Sequence, residues 1–331
     1  RGLGFSQFFP LLSEFMVGWL SPDSIDLDLV VFTKDGTLLD FEATWISGYR
    51  ECAERVSIAA GEPALAPALL KAGGLNTTDD GSIVIMTSSV VRQGSLREVA
   101  QHWVDTQPMI AAHWHGAFER LLELMEETLL EATTRDVTPL GQAAEGLQRL
   151  RDAGIQLALV TSDTERITRS QLRRLGWEGY FAPILTAESG YDDMPSGAAV
   201  SAAITESGCE PQRTVLVGGA ARDVDAGLAA GCLFTVAVFP ESKQLPAMLA
   251  GATCRVSDVG GLPTLLTDAG VRRLMAPLPS TCGEYWRFDP AVGEEAALAE
   301  EERASQRESL MSEIDPAIVS IVDAMMPVHQ F

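Results

Sequence analysis

Short apolar runs that favour β-strands alternate with amphipathic stretches along much of the chain, and this alternation constrains the fold more than any other feature. The strand-like runs lie at residues 27–33, 155–161, 183–186, 214–217, 233–238 and 254–256. Helical patterns separate them, as at 198–207 and 221–230, and Gly208 and Gly231 follow these two as helix stop signals. Such alternation is typical of a parallel sheet covered by helices on both faces. The sequence therefore predicts an α/β fold whose ligands bind beyond the carboxyl ends of the strands.

A long stretch between the first two of these strands breaks the alternation. Trp45, Tyr49, Cys52 and Val56 recur at helical spacing, which predicts a mostly helical insertion. Its middle, "GGLNTTDDGSIVIMTSSV", is expected to be loop-rich. We divide the chain into an N-terminal extension at 1–24, an α/β core at 25–41 and 138–270, the insertion at 42–137, and an acidic helical C-terminal extension at 271–331.

Composition excludes some classes of function. The formal net charge of −22 argues against nucleic-acid binding through a basic face. The five cysteines are scattered and lack CxxC spacing, which favours reduced thiols in a non-oxidising compartment. No transmembrane segment is predicted. The apolar stretch from Phe8 to Leu20 is too short to span a bilayer, and Pro10 and Glu14 interrupt it.

Four short motifs follow the predicted strands in a fixed order. They read "FTKDGT", "LVTSD", "DDMPSG" and "VGGAARD". Over residues 25–268 their order and spacing resemble the haloacid dehalogenase (HAD) superfamily, and within it the phosphoglycolate-phosphatase-like branch with a helical cap. The resemblance implies a Rossmann-like core, with the insertion as the cap, and Mg²⁺-dependent phosphatase chemistry.

The first and fourth motifs depart from the family at acidic positions. The resemblance implies that Thr33 stands at the position of the family's nucleophilic aspartate and that Asp35 stands at the position of its general acid/base. It places the two metal-binding acids of the fourth motif at Gly219 and Asp223. A threonine hydroxyl is a poor nucleophile unless a base activates it. Mg²⁺ is held mainly by carboxylates and phosphate oxygens, and two of these carboxylates are missing here.

The second and third motifs concern the phosphate. Thr161 matches the hydroxyl residue that hydrogen-bonds the phosphate in the family, whereas Met194 stands where the family has a phosphate-pairing lysine. Arg169, Arg173 and Arg174 on a neighbouring predicted helix are alternative sources of a cation. Arginines in such a pattern are more typical of a solvated helix face.

These substitutions predict a degenerate site. The nucleophile, the lysine and one metal-binding aspartate are replaced by Thr33, Met194 and Gly219, so we expect no functional catalytic residue and a protein that is not an enzyme. We also expect no cofactor, because the family's Mg²⁺ would be lost with its ligands. Asp35 and Asp223 are interpreted as a weak remnant of the metal site.

Three functions remain open at this point. The first, which we favour, is a HAD-like pseudophosphatase that serves as a structural or docking subunit of a larger protein assembly. Its contacts with partner subunits are expected through the apolar segments from Phe8 to Leu20 and from Ile318 to Met325. The second is a divergent phosphoglycolate-phosphatase-like hydrolase with altered chemistry, and the third is a sensor that binds a phosphometabolite. We expect a mitochondrial or other organellar location, with the cytoplasm as the alternative.

Overall fold

A computed structural model of the chain describes residues 27–78, 83–86, 89–239 and 251–266. The strands are β1 (Leu29–Thr33), β2 (Leu75–Thr77), β3 (Ile83–Ile85), β4 (Gln156–Val160), β5 (Ile184–Leu185), β6 (Thr214–Gly218), β7 (Phe234–Val238) and β8 (Cys254–Val256). The α-helices are α1 (Phe41–Ala59), α2 (Ala66–Gly73), α3 (Val90–Gln93), α4 (Leu96–Thr106), α5 (Pro108–His113), α6 (Phe118–Asp136), α7 (Ala143–Asp152), α8 (Glu165–Leu175), α9 (Ala198–Glu206), α10 (Ala221–Ala229) and α11 (Leu262–Leu265). The predicted terminal extensions at 1–24 and 271–331 lie outside the described residues.

Six of the strands form one parallel sheet, in the order β5-β4-β1-β6-β7-β8. All five residues of β1 are buried, because helices cover this central strand on both faces. Thr33 lies opposite Val160 of β4, and Phe32 lies opposite Val217 of β6. The carboxyl ends of these three strands therefore meet at one edge of the sheet, and the predicted α/β fold is confirmed.

The stretch between β1 and helix α7 contains helices α1 to α6 and a separate antiparallel pair, β2 and β3. We call this stretch the insertion. Helix α1 begins after Asp40, whose carboxylate accepts a hydrogen bond from the amide of Ala43 at 3.0 Å. The insertion has its own apolar cluster, which includes the fully buried Trp103 and Met125.

The β2–β3 pair lies within the stretch that the sequence predicts to be loop-rich. Leu75 pairs with Ile85, and Thr77 pairs with Ile83, so this stretch also contains a short antiparallel ladder. Each strand has only three residues, which is too short for an alternating pattern to stand out from the polar residues around it.

The two passages of chain that join the insertion to the core run side by side. The amide of Asp40 donates to the carbonyl of Thr138 at 2.9 Å, and the amide of Leu140 donates to the carbonyl of Leu38 at 2.8 Å. Helix α1 consequently starts directly beyond the carboxyl end of β1, where side chains from the insertion face the strand ends. None of the described helices is both long enough and apolar enough to cross a membrane.

Candidate functional site

Thr33 is the last residue of β1, and its hydroxyl forms two hydrogen bonds. Its Oγ1 donates a hydrogen bond to Oδ2 of Asp223 at 3.0 Å and lies 2.8 Å from Oγ1 of Thr37. Because the Thr33 proton points to the carboxylate, Thr37 is the donor in the second contact. Thr33 and Thr37 are both buried. The structure thus brings together Thr33 and Asp223, two candidate residues from motifs 190 positions apart.

Asp223 is the acceptor at the centre of this group, which we call the threonine cluster (Thr33, Thr37 and Asp223). Its Oδ2 also accepts the backbone amides of Gly219 at 2.9 Å and Ala220 at 3.0 Å. Burial raises the pKa of Asp223, although Arg222 and these hydrogen bonds act in the opposite direction. The carboxyl group is therefore held by the fold at the start of helix α10.

Gly219 stands directly beneath the turn that follows β1. A Cβ atom built on Gly219 lies 2.3 Å from the carbonyl oxygen of Gly36, a distance that real Cβ atoms do not reach. Gly36 has a φ of 74°, which suits glycine and lets the chain fold back tightly at this point. The turn and the end of β6 are thus too close for a side chain at position 219.

Asp35 takes part in a second polar group that the sequence did not predict. The ammonium of Lys34 lies 2.7 Å from Oδ2 of Asp35, 2.7 Å from Oδ2 of Asp163 and 2.6 Å from Oε1 of Gln171. We call these four residues the lysine cluster. The Lys34 side chain has no solvent exposure, and its ammonium pairs with two carboxylates and donates a hydrogen bond to one amide oxygen.

The charges of the lysine cluster shift one another's pKa values. Burial lowers the pKa of Lys34, but the carboxylates of Asp163 and Asp35 outweigh it, and the net pKa is raised. The pKa of Asp163 is raised to about 7, because burial and the charge of Asp35 outweigh the opposing effect of Lys34. Lys34 is therefore held as a cation, while Asp163 retains its proton to a higher pH than an ordinary carboxyl group.

Helix α1 of the insertion covers the lysine cluster with aromatic side chains. The indole N–H of Trp45 donates to Oδ1 of Asp35 at 2.6 Å, and the ring centroid lies 5.1 Å from the Lys34 ammonium. Tyr49 stacks on Trp45 with ring centroids 5.8 Å apart, and both residues are buried. Both oxygens of Asp35, the expected acid/base, are therefore bonded to protein groups.

Thr161 and Met194 lie together, beside the two clusters described above. They line one small pocket with Tyr191 and Asp193, and Met194 also packs against the apolar cluster that includes Val160. Thr161 Oγ1 accepts the amide of Asp163 at 3.2 Å. The pocket is lined by an acidic side chain and a thioether where the family has a lysine.

The arginines considered as substitutes for that lysine do not reach this pocket. Arg169 pairs with Glu165 at 2.7 Å and with Glu178 at 3.5 Å, and Arg173 lies 3.6 Å from Glu178. These pairs are on the exposed face of helix α8 and its neighbouring turn, as the interpretation of a solvated helix face predicts.

The comparison with protein families agrees with this architecture. The family model described as haloacid dehalogenase-like hydrolase matches residues 27–231, which is more than half of the chain. The chain therefore belongs to the haloacid dehalogenase-like hydrolase family.

Particular relatives place it near the phosphoglycolate phosphatases. It is 33% identical to the phosphoglycolate phosphatase of Neisseria meningitidis over 127 residues, which cover 38% of this chain and 54% of that protein. The phosphoglycolate phosphatase of Agrobacterium fabrum is 27% identical over 199 residues, 59% of this chain and 74% of that protein. The chain thus spans about half the length of the Neisseria relative.

Solved structures show the same fold at lower identity. The HAD phosphatase from Thermococcus onnurineus superposes with a TM-score of 0.53 at 21% identity, covering 73% of this chain and 99% of that one. CbbY from Rhodobacter sphaeroides, solved in complex with phosphate, gives a TM-score of 0.52 at 16% identity, covering 71% and 96%. Both likenesses concern the fold alone.

These comparisons correct one expectation. The prediction that the chain uses no cofactor is contradicted, because the matched relatives are phosphoglycolate phosphatases of a family whose enzymes use Mg²⁺. Nothing in the comparisons indicates that cofactor binding was lost. In the structure, however, Asp35 and Asp223 are each bonded to protein donors, and the described residues contain no cluster of three metal-ligating side chains. As arranged, these residues do not fit the ion.

Proposed function

We propose that this chain is a HAD-like pseudophosphatase, which keeps the fold of the family and does not hydrolyse phosphate esters through an aspartyl nucleophile. The observation that carries the proposal is the threonine cluster. Thr33 occupies the nucleophile position with a buried hydroxyl that already donates to Asp223. A buried hydroxyl that is bonded in this way is not positioned to attack the phosphorus of a substrate.

The neighbouring geometry supports the same conclusion. The carbonyl of Gly36 fills the space in which a side chain at position 219 would lie. Asp35 is bonded through Oδ1 to Trp45 and through Oδ2 to Lys34. A general acid/base must lie within hydrogen-bond reach of the proton that it transfers, and here both oxygens are already occupied.

The test is phosphate release from phosphoglycolate and from an aryl phosphate, measured with Mg²⁺ present. The phosphoglycolate phosphatase of Agrobacterium fabrum serves as the positive control under identical conditions. We expect no release above background from this chain, and an unchanged result in the Asp35→Asn variant. Turnover that Asp35→Asn abolishes would overturn the proposal.

We further propose that the chain acts as a structural or docking subunit of an assembly. The support comes from the apolar segments from Phe8 to Leu20 and from Ile318 to Met325, which lie outside the described residues. Deletion of either segment is expected to reduce the mass of the native particle, measured by light scattering after gentle purification from the source organism. A native protein that runs as a lone monomer would contradict this role.

The second candidate is a divergent hydrolase of the phosphoglycolate-phosphatase type. The similarity to several phosphoglycolate phosphatases favours it, as does the retention of Asp35, Thr161 and Asp223. It requires a nucleophile other than an aspartate at position 33. The phosphate-release assay separates the two candidates, because only the hydrolase loses activity when Asp35 is replaced.

A further inference from the structure

The lysine cluster joins three separate parts of the core to the insertion. Lys34 and Asp35 follow β1, Asp163 follows β4, and Gln171 lies on helix α8. The ring of Trp45, on helix α1 of the insertion, covers the Lys34 ammonium from another side. A buried ammonium is stable only where it is paired and hydrogen-bonded, so these groups depend on one another's positions.

Asp35 contacts both the core and the insertion. Its Oδ2 is bonded to Lys34 of the core, and its Oδ1 accepts the indole N–H of Trp45 from the insertion. Any movement that lifts helix α1 away from the strand ends must break the Trp45 hydrogen bond and separate the ring from the ammonium. The same movement is the one that frees Asp35.

Two other polar contacts between the insertion and the core are exposed, whereas the hydroxyl of Thr134 donates to Ser170 at 3.0 Å in a part-buried position. Arg222 donates to the carbonyl of Gln93, which is exposed. Arg166 lies 3.2 Å from Glu126, with 55% and 22% of the two side chains exposed. Exposed pairs of this kind contribute little, because water and salt screen them. The contact at Asp35 differs from these pairs, because it joins the buried Trp45 to a carboxylate that also pairs with the fully buried Lys34 ammonium.

We propose that the lysine cluster is a latch that fastens helix α1 of the insertion to the core and keeps Asp35 out of reach of any ligand. Lys34 of the core pairs with one oxygen of the Asp35 carboxylate, and Trp45 of the insertion donates a hydrogen bond to the other. The latch goes beyond the proposed function, because it does not depend on whether the site hydrolyses anything. Its release would be the first step in opening the strand ends.

Hydrogen exchange followed by mass spectrometry tests the latch in the full chain. Trp45→Phe keeps an aromatic ring but removes the indole donor, and Asp35→Asn keeps the shape but removes the charge that both neighbours contact. In each variant, we expect amides of residues 41–49 to exchange about tenfold faster, the change that corresponds to one lost hydrogen bond to a charged group. Amides of the core helix α9 are expected to exchange at the wild-type rate.

Tyr49→Phe is the matched control, because it changes a buried aromatic residue of the same helix without touching the Asp35 carboxylate. Its exchange over residues 41–49 is expected to match the wild type. Three results would each overturn the latch: unchanged exchange in Trp45→Phe and Asp35→Asn, equal acceleration in Tyr49→Phe, or equal acceleration in helix α9. The last result would show a general loss of stability in place of a local opening.

Discussion

The threonine cluster and the lysine cluster lie on either side of the same short turn, and they differ in charge. Successive residues of a strand point to opposite faces, so Thr33 faces Asp223 near β6 while Lys34 faces Asp163 and Gln171. The first cluster has a neutral hydroxyl where the family has a carboxylate. The second has a buried cation that no family motif requires. Compared with the family's motif, this turn therefore lacks a negative charge at Thr33 and carries a positive charge at Lys34.

In both clusters, carboxylates near the strand ends contact donors or cations of the protein itself. Oδ2 of Asp223 accepts hydrogen bonds from one hydroxyl and two backbone amides, and Asp35 and Asp163 form ion pairs with one ammonium. Buried polar groups are costly when they lack partners. We infer that internal donors satisfy these carboxylates, and the following predictions test that inference.

Removal of the Lys34 charge is expected to have the largest effect. Lys34→Met leaves Asp35 and Asp163 without their cation and should lower the free energy of unfolding by about 3–5 kcal/mol. Chemical denaturation measures the change, and Lys71→Met at an exposed position is the control. A loss no greater than that of the control would show that the lysine cluster contributes little. Adding Asp163→Asn to Lys34→Met should recover part of the stability.

A side chain at position 219 tests the close approach of the turn to β6. Gly219→Ala should cost about 1–3 kcal/mol of stability, because its Cβ meets the Gly36 carbonyl oxygen and the backbone must shift. Gly179→Ala is a suitable control, since nothing lies within 4 Å of a Cβ at that position. If the two variants unfold at the same temperature, the turn is more open than the structure shows.

The hydroxyl of Thr33 is expected to matter less. Thr33→Val keeps the shape but removes one donor from the buried Asp223 carboxylate, which should lower stability by about 1–2 kcal/mol. Thr33→Ser, which keeps the hydroxyl, should retain more stability than Thr33→Val. The reverse order would indicate that packing of the methyl group, and not the hydrogen bond, stabilises the threonine cluster.

The pH dependence of stability tests the raised pKa of Asp163 in the lysine cluster. The pKa of Asp163 is about 7 in the folded chain and has an ordinary value of 3.8, so between about pH 4 and pH 7 the folded state holds a proton that the unfolded state has released. Stability should therefore fall as pH rises through this range, by less than about 1.4 kcal/mol per pH unit, the limit for one proton.

In Asp163→Asn this decline should become shallower, because the titrating group is absent. Parallel unfolding curves for the wild type and the variant from pH 4 to pH 7 would contradict the raised pKa of Asp163. Measurement at several pH values with fixed ionic strength keeps the screening of surface charges constant.

The sequence predicted the sheet and the motif positions because these depend on local pattern. The alternation of β1, β4, β6 and the helices between them could be read from apolar periodicity. The same pattern placed Thr33 at the end of the first strand, and the resemblance to the HAD superfamily singled out Asp35 and Asp223. The partners of these residues could not be read in this way, since Lys34 meets Gln171 across 137 positions and Thr33 meets Asp223 across 190.

Two features had signals that were too weak or too indirect to use. Lys34 directly follows a buried strand, and this position in the sequence does not identify its partners. Gly219 was read as a lost metal ligand, whereas the structure gives it a steric reason, the carbonyl of Gly36. Close backbone approaches depend on how distant segments pack, and no local pattern records them.

The most direct test of the account asks whether the turn after β1 accepts a phosphoryl group. The chain is mixed with phosphoglycolate and Mg²⁺, quenched in acid after a short interval, and the peptide spanning residues 29–39 is examined by mass spectrometry. The relative from Agrobacterium fabrum is treated in parallel. The account predicts no phosphorylated form of this peptide, because Thr33 is buried and bonded to Asp223. A phosphoryl group on Thr33 or Asp35 would contradict it.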